Sequence, residues 1–100
     1  MGTTRIGKGT KLADLISIGH GTTLGEHCLL VSLVGIAGSA HVGNYVVFGG
    51  QTGVSGHLTI GDGVQALAQS GIAGDVAAGT IVGGAPAIDA DTFKRNALAG

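Results

Sequence analysis

The amino-acid sequence predicts an all-β protein, a parallel β-helix built from hexapeptide repeats. Two observations support this fold class. An apolar residue recurs at every sixth position, and the 100 residues include 21 glycines while only 3% of them are aromatic. A period of six fits neither an α-helix, with about 3.6 residues per turn, nor a simply alternating strand. Short strands joined by tight corners, three hexads to a coil, satisfy it.

The repeat is defined by its first and fifth positions, which we expect to point inward. The fifth positions are small or aliphatic, as at Cys28, Val46 and Val76, and glycine often follows the first position, where the chain must turn sharply. Residues 6 to about 83 would supply roughly four coils, more than the minimum of about three that a solenoid needs. The first positions are all apolar: Ile6, Leu12, Ile18, Leu24, Leu30, Ile36, Val42, Phe48, Val54, Ile60, Ala66, Ile72 and Ala78.

The sequence also predicts what lies at the two ends of the repeat. The Gly-Gly-Ala-Pro run at 83–86 should stop it, after which Asp89 or Asp91 can cap a short helix from Thr92 to about Leu98. We therefore divide the chain into a hexapeptide-repeat β-helix, residues 1–88, and a short C-terminal helix or tail, residues 89–100. The first coil begins with no polar cap over its strand edges, so we expect further coils upstream in a longer protein.

Composition limits the compartment and the partners. The formal net charge is −1, and no basic stripe is available to neutralise nucleic-acid phosphates. The single cysteine, Cys28, fits a reducing compartment, and we assign it to the core rather than to catalysis. No apolar run approaches the roughly 18 residues of a membrane span, and the first five residues lack the apolar core of a signal peptide. We predict a cytoplasmic protein that binds no nucleic acid.

Two histidines form the candidate site. His20 and His57 are separated by two full coils plus one position, so both should lie on one edge of the prism, two layers and about 10 Å apart. Gly38, one coil after His20, should lie between them. Without a side chain, its N–H can approach a bound carbonyl closely and serve as an oxyanion donor. Gly56, one coil further, is the candidate substrate-binding residue.

Four stretches of the sequence then resemble a known family, the C-terminal β-helix of bacterial UDP-3-O-acylglucosamine N-acyltransferases of lipid A synthesis. The resemblance implies a left-handed β-helix and a homotrimer with active sites between adjacent subunits. It also implies transfer of a 3-hydroxyacyl group from acyl carrier protein to the 2-amine of UDP-3-O-acylglucosamine. The stretches are residues 9–12 with Ile18-Gly-His20, residues 34–39, Gly49-Gly-Gln-Thr-Gly-Val-Ser-Gly-His-Leu-Thr-Ile-Gly-Asp62 and residues 79–87.

The resemblance assigns the general base to His20, a task that suits histidine because its unperturbed pKa is near 6.5. His57 would bind or polarise a substrate or help the leaving thiol, and Gly56 would contact the pantetheine arm. No metal and no further cofactor is implied, since the acyl donor is carried on the phosphopantetheine of acyl carrier protein. The family's N-terminal uridine-binding domain has no counterpart in these residues, and its usual Asn after the first histidine is Gly21 here.

Two other functions fit the same sequence. One is a trimeric zinc enzyme of the carbonic anhydrase type, using histidines across a subunit interface. The other is a catalytically inactive β-helix that only trimerises, with His20 and His57 as polar corner residues. We assign no chemistry to His27 and His41, which we expect in solvent or at the subunit interface. The basic pair at 94–95 is expected to contact the acidic carrier protein.

Overall fold

Fourteen short strands wind through residues 3–89, the part of the chain that a computed structural model describes. They form three sheets, A, B and C, in a parallel β-solenoid of about four turns, and the predicted fold class is confirmed. Sheet A contains β1 (Arg5–Ile6), β4 (Thr23–Leu24), β7 (His41–Val42) and β10 (Thr59–Ile60). Sheet C contains β3 (Ser17–Ile18), β6 (Gly35–Ile36), β9 (Gly53–Val54) and β12 (Gly71–Ile72). Sheet B contains β2 (Lys11–Leu12), β5 (Leu29–Leu30), β8 (Val47–Phe48), β11 (Gln65–Ala66), β13 (Ile81–Gly83) and β14 (Ile88–Asp89).

Strands β1 to β13 pair within their sheets with strands one coil away. In sheet C, Ile18 lies beside Ile36, and Ile36 lies beside Val54. The pairing is parallel, so the same hexad position of successive coils stacks into a column. This register produces the columns on which the candidate site depends.

The core is filled by the inward columns. Leu30 and Phe48 are 0% exposed at first positions, and Val46 is 0% exposed at a fifth position. Cys28 is buried in the same cluster, where the sequence placed it. The buried Thr22 hydroxyl donates to the carbonyl of Ala37 at 2.7 Å, and within residues 3–89 no buried side-chain polar atom lacks a hydrogen-bond partner. The interior of the prism is therefore filled mainly by aliphatic side chains, together with threonines that hydrogen-bond to the backbone.

The hexad register breaks in the fourth coil, where one sequence expectation was wrong. Val54 still pairs with Ile72 eighteen residues on, but Ile60 bridges to Val76, only sixteen residues on. Val76 therefore takes the inward first position that the sequence gave to Ala78, and Ala78 is exposed. In the shortened coil the backbone N–H of Thr59 donates to Asp75 Oδ1 at 2.8 Å, whereas the equivalent N–H groups of Thr23 and His41 donate to backbone carbonyls one coil on. Periodicity missed the shortening because positions 76 and 78 are both apolar.

Parallel stacking ends in a hairpin. After β13 the chain turns over residues 84–87, and β14 returns antiparallel to it. Asp89, one of the two candidate helix caps, lies in β14. Asp91, the predicted helix Thr92–Leu98 and the basic pair at 94–95 lie outside the described residues, and the division at residue 88 stays a prediction. No helix within residues 3–89 is long and apolar enough to cross a membrane.

Replacing Leu30 by alanine should lower the free energy of unfolding by about 2–5 kcal/mol, because the side chain is fully buried and its removal leaves a cavity. Leu33→Ala is the matched control. Leu33 is 48% exposed at a corner, so its loss should cost far less. Urea denaturation of the three proteins measures the difference. Equal destabilisation by both substitutions would contradict the inward assignment of the first position.

Candidate functional site

The two candidate histidines lie on one corner of the prism. We call it the C–A corner: residues 19–22, 37–40 and 55–58, which join sheet C to sheet A in three successive coils. The carbonyl of His20 accepts the N–H of Ser39 at 2.8 Å, and the carbonyl of Gly38 accepts the N–H of His57 at 3.2 Å. His20, Gly38 and Gly56 therefore form one column of this corner, and His57 lies in the neighbouring column, two layers from His20.

Both imidazoles are accessible. His20 and His57 are exposed, and Gly38 and Gly56 are half-buried. Two layers correspond to about 10 Å, too far for the rings to hydrogen-bond to each other and far enough for a ligand to lie between them. His57 has a left-handed backbone (φ 59), as does Ser39 in the layer above (φ 61). The corner geometry therefore sets its backbone conformation.

The N–H of Gly38 is uncommitted, and the next corner along the chain shows why. At the A–B corner, residues 25–28, 43–46 and 61–64, a side chain from the layer below caps the equivalent N–H. Asn44 Oδ1 accepts the N–H of Glu26, and Asp62 Oδ1 accepts the N–H of Asn44, both at 2.8 Å. At the C–A corner the layer below Gly38 holds Gly56, which has no side chain. The Gly38 N–H accordingly has no acceptor among residues 3–89.

Close backbone stacking explains the two glycines of this column. A Cβ at Gly38 would lie 2.9 Å from the carbonyl oxygen of His20, and one at Gly56 would lie 2.8 Å from the carbonyl oxygen of Gly38. Real Cβ atoms do not approach oxygen so closely, so a larger residue would push the layers apart. The same absence of side chains leaves the Gly38 N–H open to a ligand.

A groove runs along the outer face of sheet C, directly beside this column. Its volume is about 640 Å³. No atom lies within 4 Å of the Cβ positions that Gly35 and Gly53 would have, so the sheet surface is bare there. Ala85 and Pro86 of the C-terminal turn lie at one end of the groove. Ala37 and Ser55, which directly precede Gly38 and Gly56, line the edge of the groove next to the C–A corner.

Sequence reasoning missed this groove, although a signal for it exists. Gly35, Gly53 and Gly71 recur one coil apart at the outward position of sheet C, and Ser17 precedes them in the same column. The inward positions, which identify the core, do not record this outward column. An outward column of the smallest residues marks a face on which something else can lie.

The other two faces differ from sheet C. Sheet B exposes large apolar side chains, with Leu29 at 41% and Ile81 at 44% exposure. On sheet A, His41 Nδ1 lies 3.0 Å from Thr23 Oγ1. His27, on the A–B corner, stacks on the ring of Tyr45 with centroids 5.2 Å apart. Within residues 3–89 no three His, Cys, Asp or Glu side chains group closely enough to hold a metal ion.

Comparison with known proteins gives the following results. No protein-family model matches the chain. A stretch of 29 residues, 29% of this chain, is 55% identical to UDP-3-O-acylglucosamine N-acyltransferase 3 of Gloeobacter violaceus and covers 8% of that protein. The solved UDP-N-acetylglucosamine O-acyltransferase of Moraxella catarrhalis superposes with a TM-score of 0.84 at 36% identity, over 93% of this chain and 38% of that one.

A third relative shows the fold alone. Serine acetyltransferase of Brucella abortus superposes with a TM-score of 0.81 at 20% identity, over 86% of this chain and 39% of that one. The β-helix of this chain is similar in sequence and fold to that of a hexapeptide-repeat acyltransferase, the Moraxella catarrhalis enzyme. The chain spans 38% and 39% of the length of these two solved relatives.

Hydrogen exchange tests the open N–H at the C–A corner. The Gly38 amide should exchange close to its intrinsic rate because it has no acceptor among the described residues. The Ser39 amide donates to the carbonyl of His20 and should exchange at least about tenfold more slowly than its own intrinsic rate. The Asn44 amide, capped by Asp62, is the matched control and should also be slow. Amide decay in two-dimensional NMR spectra gives the rates. Equal protection of Gly38 and Asn44 would show that the Gly38 N–H is not open.

Proposed function

We propose that this chain carries the acyl-transfer site of a hexapeptide-repeat acyltransferase. The reaction moves a 3-hydroxyacyl group from acyl carrier protein to the 2-amine of UDP-3-O-acylglucosamine. One observation carries the proposal: the C–A corner presents two exposed imidazoles on either side of an open glycine N–H, beside a bare groove. The identity to the N-acyltransferase of Gloeobacter violaceus supports the choice of an amine acceptor.

Each residue of the C–A corner has a separate role in the aminolysis of the thioester. His20 accepts a proton from the amine as its nitrogen attacks the thioester carbonyl carbon. The N–H of Gly38 donates to the oxyanion of the tetrahedral intermediate, where an uncommitted backbone donor is most effective. Collapse of the intermediate forms the amide and breaks the carbon–sulfur bond. The phosphopantetheine sulfur leaves as a thiolate and takes up the proton that His20 received from the amine, so the products are an amide and a thiol. His57 assists this step by hydrogen bonding to the departing sulfur.

The groove of sheet C accommodates the linear part of the donor. An acyl chain and a pantetheine arm are both slender, and a surface formed by Gly35 and Gly53 lets them lie against the backbone. Ser55 lines the groove and directly precedes Gly56, so a donor in the groove passes the glycine column. Gly56, half-buried and next to His57, then contacts the pantetheine arm.

The outer face of sheet B is a candidate surface for self-association. Leu29, Val31, Leu67 and Ile81 expose between 39% and 44% of their surface on one side of the prism. Exposed apolar clusters of this kind commonly mark interfaces between proteins. A homotrimer that buries the outer face of sheet B would cover them and leave the C–A corner, on the opposite edge of the prism, open to acyl carrier protein and the UDP-sugar.

Replacing His20 by alanine should lower kcat/KM for acyl transfer by about 10²- to 10⁴-fold, the usual contribution of a positioned base. His27→Ala is the matched control, because His27 is equally exposed but lies on the A–B corner. Release of the carrier-protein thiol, followed with a thiol reagent, measures the rate. Retained activity in His20→Ala would remove this residue from the mechanism and, with it, the site proposed here.

Replacing Gly53 by leucine should fill the groove without disturbing the fold, since nothing lies within 4 Å of the position of its Cβ. Transfer from a long-chain donor should fall about tenfold or more, because overlap with one packed side chain costs about 1–3 kcal/mol. Transfer from an acetyl donor should be less affected. Gly74→Leu, also in open space but outside the groove, is the control. An unchanged rate with the long-chain donor would show that the groove does not hold it.

A further inference from the structure

The outer face of sheet A carries a column of polar side chains that the reaction described above does not use. Arg5 lies in register with Thr23, Thr23 with His41, and His41 with Thr59. All four side chains can donate hydrogen bonds. The corresponding outward column of sheet C consists of Ser17 followed by glycines, and that of sheet B contains three apolar residues with Lys11 and Gln65. Sheet A is the face on which this column is polar in every coil.

The imidazole of His41 is held in place within this column. Its Nδ1 lies 3.0 Å from Thr23 Oγ1, and the ring is exposed. When the Thr23 hydroxyl donates to Nδ1, the hydrogen of the neutral ring is on Nε2. Nε2–H is then a donor with no acceptor among residues 3–89, on a ring whose orientation the threonine fixes.

His41 also lies next to the C–A corner. It is three residues after Gly38 in the same coil, in the layer between those of His20 and His57. Thr59, its partner in register, follows His57 by two residues. A molecule whose reactive group lies between the two corner histidines can therefore extend over sheet A as far as His41.

In the column next to His41, Gly25 and Gly43 stack closely on the layer below. A Cβ at Gly43 would lie 2.8 Å from the backbone nitrogen of Asp62, and one at Gly25 would lie 2.5 Å from the backbone oxygen of Gly43. Side chains cannot be added there without moving the backbone. The two ends of the polar column on sheet A carry opposite charges. Arg5 lies one coil above Thr23, and Asp75, whose Oδ1 accepts the N–H of Thr59, lies at the lower end. An anionic group is favoured towards the Arg5 end.

We propose that Thr23 and His41, with Arg5 one coil above, bind a phosphate of the acyl acceptor, with His41 Nε2–H donating to a phosphate oxygen. The assignment of the ligand as the acceptor rests on the proposed acyl-transfer function. The corner then separates two substrates: the donor lies in the groove of sheet C, and the phosphorylated acceptor lies on sheet A. His41 is a substrate-binding residue, and Thr23 is in addition a positioning residue for its ring.

Two substitutions of His41 test the roles of its two ring nitrogens separately. The amide of glutamine reaches the position of Nε2, whereas the amide of asparagine reaches only that of Nδ1. His41→Asn should raise KM for UDP-3-O-acylglucosamine about 10- to 100-fold, the effect of losing a hydrogen bond to a charged group, with little change in kcat or in KM for the acylated carrier protein. His41→Gln should restore KM to within about threefold. His27→Asn, on the A–B corner, should leave all three parameters unchanged.

A binding measurement separates this inference from the proposed function. UDP-glucosamine and inorganic phosphate are titrated separately into the chain while the imidazole signals of His41 and His27 are followed by NMR. We expect saturable shifts of His41 alone with both probes, and at least tenfold weaker binding of UDP-glucosamine to His41→Asn. Such binding in a protein that transfers no acyl group would support the inference and count against the proposed function. Acyl transfer with an unchanged acceptor KM in His41→Asn would overturn the inference alone, as would the absence of any shift at His41.

Discussion

Stacking of the coils depends on one interaction, the parallel backbone hydrogen bonds that join each layer to the next. The N–H of Gly19 donates to the carbonyl of Ile36 at 2.8 Å, and the N–H of Ala37 donates to the carbonyl of Val54 at 2.9 Å. These bonds fix both the layer spacing and the register. Residues one coil apart are therefore brought into a column, and any side-chain property that repeats along the chain becomes a surface of the prism.

The three surfaces that result have different chemistry although their backbones are alike. The inward columns are mainly aliphatic because they share one core. The outward columns are free of that constraint, so sheet C is bare, sheet B combines apolar side chains with Lys11 and Gln65, and sheet A is polar. A bare face suits a slender ligand, an apolar face suits another protein, and a polar face suits a phosphorylated sugar. The C–A corner lies where the first and third of these meet.

The C–A corner has no side chain that caps the N–H groups of its turns. At the A–B corner, Asn44 and Asp62 each cap the N–H of the layer above, which stabilises the turn. At the C–A corner, Gly38 and Gly56 occupy the corresponding places, and the N–H groups remain open. The equivalent N–H groups of Ser32 and Gly50, on the corner that joins sheet B to sheet C, also have no acceptor among residues 3–89. The Gly38 N–H differs from them because it lies between the layers of His20 and His57, where an unpaired donor suits the proposed chemistry.

The sequence by itself determined the period, the inward columns and the separation of His20 from His57, because a strict repeat converts chain position directly into layer and edge. It did not reveal the sixteen-residue coil in which Ile60 meets Val76, since Val76 and Ala78 are both apolar and either could continue the column. Only the tertiary structure decided which N–H groups are capped and where the groove lies. Both depend on what the neighbouring layer places above or below a residue, and that neighbour is a full coil away in the sequence.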